Sequence, residues 1–178
     1  MAPASRAPIV VGLVAAAAIT AVLVALVALR PGGDDEGIRI GELAPAISGT
    51  TLDGSEISLA DLRGRPVIVN FWGPTCVPCR DEFPLFKSKL AEHAGDDVAL
   101  LGVLMVDPPD MARTFVAEEG ADWPTVVDPD GGIKSAYRVV ARPQTYFIDR
   151  DGVLRAIQIG EVRAEDFDRH YPLIAGGS

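Results

Sequence analysis

The chain has 178 residues, a formal net charge of −9 and 48% hydrophobic residues, and it contains only two cysteines. The acidic balance leaves no basic surface to neutralise phosphates, which excludes nucleic acid as a partner. Two cysteines are too few for the disulfide framework of a small secreted scaffold, and the length predicts one ordinary domain plus an appendage.

The appendage is an uncharged apolar run at residues 9–29, IVVGLVAAAAITAVLVALVAL. A helix of this length rises about 1.5 Å per residue and spans about 30 Å, the thickness of a hydrocarbon core. A cleaved signal peptide has a shorter apolar region and ends in a small-x-small site, whereas this run ends at Arg30. We therefore favour a transmembrane anchor over a cleaved signal or a buried core helix.

Charges on either side of this run predict its orientation. Arg6 lies before it, and the acidic segment RPGGDDEG follows it, so the positive-inside rule makes residues 1–8 a cytoplasmic tail. Residues 30–42 are typical of a flexible linker, and residues 43–178 form the predicted exported domain. The prediction is a single-pass protein of the cytoplasmic membrane whose domain lies on the outer, extracytoplasmic or periplasmic, face.

After residue 43 the pattern alternates between β-prone runs and helical spacing. The predicted strands are two short runs forming a hairpin around Asp53-Gly54, then 66–72, 97–106, a run in WPTVV, and a hairpin within QTYFIDRDGVLRAIQIG. The predicted helices are one with Phe83, Phe86, Leu90 and Ala94 on one face, then 111–119, a short one after DPDGG, and 165–170. This order predicts a mixed α/β sheet flanked by helices, with an N-terminal β-hairpin extension.

Both cysteines lie in the stretch WGPTCVPCR, where Cys76 and Cys79 are three positions apart. This spacing serves a structural metal, an attached haem or a reversible disulfide. Zinc normally requires four ligands, and only His93 and His170 are available as further soft ligands. Haem attachment requires a histidine where Arg80 stands. The pair follows a buried strand and opens a helix, which favours redox chemistry.

Their placement predicts different roles for the two cysteines. The N–H groups and dipole at the start of the helix would stabilise a Cys76 thiolate, so we predict that Cys76 attacks the substrate. Cys79, one turn further, would be the resolving thiol. The alternative is a pair of buried cysteines that never react.

Three segments, VNFWGPTCVPCRDEFP, WPTVVDPDG and ARPQTYFIDRDG, resemble the membrane-anchored thioredoxin-like thiol–disulfide oxidoreductases of the TlpA/ResA/CcmG type. The resemblance covers about residues 43–170 and implies a thioredoxin-like fold in which Cys76 and Cys79 are the redox pair. It implies that Pro143 is the cis-proline that faces the disulfide. The implied substrate groove is bordered by Trp72, Thr75, Val77, Pro78, Arg142 and Gln144.

Glu82 matches an acidic residue of the ResA group that tunes the cysteines and relays protons. If it is close to the pair and only partly solvated, its negative charge should raise the cysteine pKa values. The alternative is a first-turn glutamate favoured by the helix dipole. Asn70 stands where ordinary thioredoxin has a buried aspartate, and an amide cannot carry a proton, so any acid–base role falls to Glu82.

Two residues depart from the family pattern. Thr75 replaces the tryptophan usual before the first cysteine, and Arg142 is a cation where relatives usually carry a small or aliphatic residue. The Arg142 side chain could stabilise the Cys76 thiolate directly, pair with Glu82, or point into solvent.

The resemblance implies an enzyme that reduces disulfides in exported proteins, with apocytochrome c as the candidate substrate and a membrane thiol–disulfide carrier as the electron donor. We expect a monomer whose redox group is the Cys76–Cys79 disulfide, with no other cofactor and no metal. Alternatives are a disulfide-forming oxidase or isomerase, a peroxiredoxin-like peroxidase and a redox-inert binding module. Val69 and Gly73 stand where peroxiredoxins carry proline and threonine, which argues against the peroxidase.

Overall fold

The structure, a computed structural model, describes residues 38–176, in which strands and helices alternate. The strands are β1 (Ser48–Thr50), β2 (Glu56–Ser58), β3 (Val67–Trp72), β4 (Ala99–Leu104), β5 (Thr125–Val127), β6 (Gln144–Ile148) and β7 (Leu154–Ile159). The helices are α1 (Val77–Glu92), α2 (Pro109–Glu119), α3 (Gly132–Ala136), α4 (Ala164–His170) and α5 (Pro172–Ala175), with 3₁₀ turns at Leu59–Leu62 and Ala94–Asp96.

A five-stranded mixed sheet in the order β5-β4-β3-β6-β7 forms the centre of the fold. The central strand β3 is parallel to β4 and antiparallel to β6, while β1 and β2 form a separate antiparallel hairpin. This arrangement confirms the predicted mixed α/β sheet and the N-terminal hairpin. The predicted strand 97–106 is longer than the observed β4 at both ends, because Asp97 still belongs to the end of the 3₁₀ turn and residues 105–106 turn towards α2.

Hydrophobic side chains pack on both faces of the sheet, because successive residues of β3 point to opposite sides. Ile68 and Trp72 pack with aromatic residues of α1 and α2, whereas Val69 and Phe71 pack with Tyr137 at the end of α3. All six residues of β3 are buried, as a run that is apolar except for Asn70 predicts. Ala94, which was predicted on the apolar face of α1, lies in the 3₁₀ turn instead and is exposed.

The first described residues are bound to the hairpin of β6 and β7. The N–H of Gly41 donates to the carbonyl of Leu154 at 2.8 Å, and the N–H of Leu154 donates to Glu42 at 2.9 Å. These two residues of the predicted linker, 30–42, therefore contact the domain. The predicted anchor, 9–29, lies outside the described residues, and within 38–176 no helix is long and apolar enough to cross a membrane.

Three loops meet at one end of the sheet. The loop after β3 leads to Cys76, the loop after β4 begins at Met105, and the loop before β6 contains Pro143. Because β4 is parallel and β6 antiparallel to β3, these loops are neighbours: the N–H of Met105 donates to Trp72 at 2.9 Å, and Gln144 pairs with Phe71. This end of the sheet carries the candidate site.

Candidate active site

Cys76 and Cys79 form a disulfide at the start of α1, with their Cα atoms 5.2 Å apart. Cys76 caps the helix, and its Sγ accepts the N–H of Cys79 at 3.3 Å. Pro78 lies in the first turn of α1, where its missing N–H leaves no intrahelical bond unmade. Cys79 is fully buried and Cys76 is 9% exposed, so an incoming sulfur reaches Cys76 first.

The peptide bond between Arg142 and Pro143 is cis, the geometry that the resemblance implied. Pro143 directly precedes β6, and its carbonyl accepts the N–H of Gly160 at 2.9 Å. Since the next residue, Gln144, pairs with Phe71 near the end of β3, the proline lies beside the loop that carries Cys76.

Glu82 lies on α1, three residues after Cys79, and is fully buried. Its Oε1 accepts from the Asn70 side-chain amide at 2.7 Å, and its Oε2 accepts from the N–H of Val162 at 3.0 Å. The same amide nitrogen of Asn70 donates to Thr145 Oγ1 at 3.0 Å. Because Glu82 follows Cys79 by three residues on α1, the two side chains share one face of the helix.

Burial is the main influence on Glu82 and raises its pKa from its usual 4.5 to about 8, against the opposing effect of its two hydrogen bonds. The carboxyl group is therefore mostly protonated at pH 7. This corrects the expectation of a partly solvated Glu82 whose negative charge acts on the cysteines. The spacing Cys79, Glu82, Phe86 follows one helix face and carried the signal for this burial.

Arg142 neither pairs with Glu82 nor simply points into solvent, which are two of the three arrangements considered from the sequence; its effect on a Cys76 thiolate stays a prediction. Its Nη1 donates to Asp107 Oδ2 at 3.0 Å and to the carbonyl of Met105 at 3.0 Å, and its Nη2 donates to Thr75 Oγ1 at 3.0 Å. The side chain is 26% exposed, so it does not simply point into solvent. Its positive charge is paired with Asp107 rather than with Glu82.

Asp107 was not among the predicted site residues. Its carboxylate accepts the N–H of Thr75 at 3.1 Å and the Thr75 hydroxyl at 2.8 Å, directly before Cys76. Burial opposes its ionisation, but the hydrogen bonds from Thr75 and the charge of Arg142 outweigh burial and hold its pKa below the usual value. No periodic pattern links residues 107 and 142, so the sequence carried no signal for this pair.

Two of the predicted groove residues, Trp72 and Gln144, are buried and cannot line an open groove. Trp72 ends a buried strand and packs against Phe83 in the core, with ring centroids 4.8 Å apart. Gln144 donates to the Tyr146 hydroxyl at 2.6 Å and accepts the N–H of Val140 at 3.1 Å, so it supports the loop before Pro143 from inside. Thr75, Val77 and Pro78 are exposed around the disulfide.

Comparisons with known proteins agree with this geometry. A model of the AhpC/TSA family matches residues 40–157, and the chain belongs to this thioredoxin-like family. The thiol-disulfide oxidoreductase ResA of Geobacillus kaustophilus is 33% identical over 133 residues, which cover 75% of this chain and 76% of ResA.

Two solved structures have the same fold. A putative thiol:disulfide interchange protein DsbE from Chlorobium tepidum gives a TM-score of 0.73 at 25% identity, covering 79% of this chain and 100% of that chain. A secreted Mycobacterium tuberculosis disulfide oxidoreductase homologous to E. coli DsbE gives 0.62 at 26%, covering 72% and 94%. With its cysteine pair at disulfide distance, the chain is a thiol–disulfide oxidoreductase of the ResA/DsbE type.

Proposed function

We propose that this chain is an extracytoplasmic reductase of disulfides in exported proteins, with apocytochrome c before haem attachment as its substrate. The predicted N-terminal anchor would hold the domain at the outer face of the cytoplasmic membrane. The secreted mycobacterial relative supports an extracytoplasmic site of action. A membrane thiol carrier would return the disulfide to the dithiol, so that Cys76 and Cys79 are the only redox group required.

The pairing of Arg142 with Asp107 is the observation that favours reduction of substrate disulfides over their formation. A thioredoxin-like protein becomes a strong oxidant when its reduced form, with an attacking thiolate, is strongly stabilised. The cation nearest in the sequence to the cis-proline is matched by a carboxylate at 3.0 Å. Arg80, beside Cys79, places its guanidinium over the Phe115 ring at 4.7 Å. We infer that the two cations add little to the stability of the Cys76 thiolate, which leaves the helix start as its main support, and a weakly stabilised dithiol favours a reductant.

Reduction proceeds by two exchanges of sulfur bonds. The Cys76 thiolate attacks one sulfur of the substrate disulfide, forming a mixed disulfide and releasing the other substrate sulfur, which takes up a proton. Cys79 then loses its proton and attacks Cys76 Sγ, which closes the Cys76–Cys79 bond and releases the second substrate thiol. Two electrons pass from the dithiol to the substrate, and the two substrate thiols are completed by the proton lost by Cys79 and one proton from the solvent. At pH 7 Glu82 is mostly protonated, so only its ionised fraction, which grows as the pH approaches its pKa of about 8, can accept the proton that Cys79 gives up.

An oxidase or isomerase would use the same residues, but its dithiol form would be more stable than that of a reductase. A peroxidase is less well supported, because Val69 is a buried strand residue and Gly73 has no side chain to assist a peroxide. A redox-inert module would keep the two cysteines in one state under all conditions.

A disulfide-bonded Cys-x-x-Cys-His peptide tests the proposal. We expect one equivalent of the reduced chain to convert this peptide to its dithiol, with mass spectrometry following both partners. A chain in which both cysteines are replaced by serine is the control and should leave the peptide unchanged. If the oxidised chain instead forms the peptide disulfide and the reduced chain leaves it intact, the oxidase alternative is correct. The absence of exchange in either direction would contradict the proposal and leave the inert module and the peroxidase.

A further inference from the structure

The turn after β4 holds a β-branched residue in a conformation that such residues rarely adopt. Val106 has φ +62°, and its side chain is 84% exposed. The N–H of Asp107 donates to the carbonyl of Met105 at 2.6 Å, which closes a three-residue turn around Val106. A positive φ is strained for valine, so the surrounding structure must hold the turn in place.

Arg142 forms hydrogen bonds with both ends of this turn. Its Nη1 donates to the Met105 carbonyl and to Asp107 Oδ2, each at 3.0 Å. Its Nη2 reaches the Thr75 hydroxyl at 3.0 Å, in the loop that carries Cys76. One planar guanidinium therefore joins the turn, the loop before the disulfide and the cis-proline loop, a task that its fixed fork of donors suits.

The close packing of these loops depends on Gly73. A Cβ atom at this position would lie 2.4 Å from Arg142 Nη1 and 2.4 Å from Asp107 Oδ2. A side chain here would push the ion pair away from the loop that precedes Cys76. The Arg142 guanidinium and the Asp107 carboxylate thus pack directly against the Gly73 backbone, which leads to the disulfide.

Two of the joined loops and the first position of α1 each present an exposed valine. Val77 is 67% exposed beside Cys76, Val106 is 84% exposed, and Val140 is 76% exposed in the loop before Pro143. A single exposed valine needs no explanation. Val106 differs from the other two because it stands in the strained turn whose two ends bind Arg142, and this turn is hydrogen-bonded to Thr75, directly before Cys76.

We propose that Arg142 is a positioning residue for protein substrates: it holds the turn at Val106 beside the disulfide, and Val106 contacts an apolar side chain next to the reacting cysteine of the substrate. This inference rests on the proposed reduction of protein disulfides. The turn at Val106 would give the protein a preference for apolar residues around the substrate cysteine, and Arg142 would keep the turn in its conformation.

Two disulfide-bonded Cys-x-x-Cys peptides test the proposal, one with leucine and one with serine on both sides of each cysteine. The readout is the ratio of kcat/KM for the leucine peptide to that for the serine peptide. A change in cysteine reactivity alters both values equally and leaves this ratio unchanged. We expect the natural chain to prefer the leucine peptide by about 3–10-fold, below the roughly 10–200-fold of an enclosed pocket, because Val106 is 84% exposed.

Arg142→Gln and Val106→Gly should each bring the ratio to within about twofold of unity, because each removes the fixed apolar contact. Glycine accepts a positive φ without strain, so Val106→Gly should not lower the midpoint of thermal unfolding. Arg155→Gln is the matched control: Arg155 pairs with Asp149 at 2.6 Å, at the end of the sheet opposite the disulfide, and this variant should keep the preference.

An unaltered leucine preference in Val106→Gly or in a folded Arg142→Gln would overturn the proposal, as would a natural chain that reduces both peptides equally well. If Arg142→Gln does not fold, Val106→Gly decides alone. Failure of the natural chain to reduce either peptide would instead count against the proposed reductase function, so the two failures are distinguishable.

Discussion

Replacing Cys79 with alanine should turn the chain into a trap for its substrates. The exposed edge of Cys76 would still attack a substrate disulfide, but the buried sulfur that resolves the mixed disulfide would be missing. We expect covalent adducts with partner proteins on non-reducing gels and a loss of turnover of about 10³-fold or more. Purification of the adducts followed by mass spectrometry would identify the substrates, among which we expect apocytochrome c.

Cys76→Ala is the matched control for this trap. It removes the sulfur that capped α1 and leaves only the fully buried Cys79, so few or no adducts should form. Equal trapping by the two variants would show that either sulfur can attack, and the assignment of roles would be wrong.

Glu82 should make the stability of the fold fall as the pH rises. Its pKa is about 8 in the folded chain and about 4.5 when unfolded, so the unfolded chain binds fewer protons between these values. The contribution of the protonated carboxyl is complete below pH 4.5 and is lost as the pH rises towards 8. At about 1.4 kcal/mol per pKa unit, the free energy of unfolding should fall by about 4 kcal/mol across this window.

Denaturant titrations of the oxidised chain at pH 5 and pH 8 measure this effect. Glu82→Gln should flatten the change between the two pH values, while its absolute stability also reflects the new amide facing the N–H of Val162. Glu118→Gln, an exposed position on α2, is the control and should keep the pH dependence of the natural chain. A parallel pH dependence in Glu82→Gln and the natural chain would mean that Glu82 is ionised in the folded protein.

Local patterns were sufficient for the elements and for the cysteine pair. The largely apolar run of β3, followed by a helical repeat, placed Cys76 and Cys79 at a strand-to-helix junction. The Asp-Gly turns marked both hairpins. The cis bond at Pro143 came from the resemblance, because no local pattern distinguishes a cis proline from a trans one.

The contacts between distant loops could not be predicted in the same way. Asp107 and Arg142 are 35 residues apart, and their pairing requires β4 and β6 to lie on either side of β3. The positive φ of Val106 follows from that pairing rather than from the preference of valine. The burial of Glu82, by contrast, could have been predicted from the sequence. Its spacing from Cys79 placed it on the buried face of α1, and only its polarity suggested contact with solvent.

The central claim is that the Cys76–Cys79 couple gives electrons to its substrates, and its reduction potential tests this most directly. The oxidised and reduced forms can be equilibrated with glutathione or dithiothreitol buffers at pH 7 and separated by alkylation and mass. With Arg142 matched by Asp107, we predict a potential of about −270 mV or lower, in the range of a reductant. A potential near about −120 mV, typical of a strong disulfide-forming oxidant, would contradict the account.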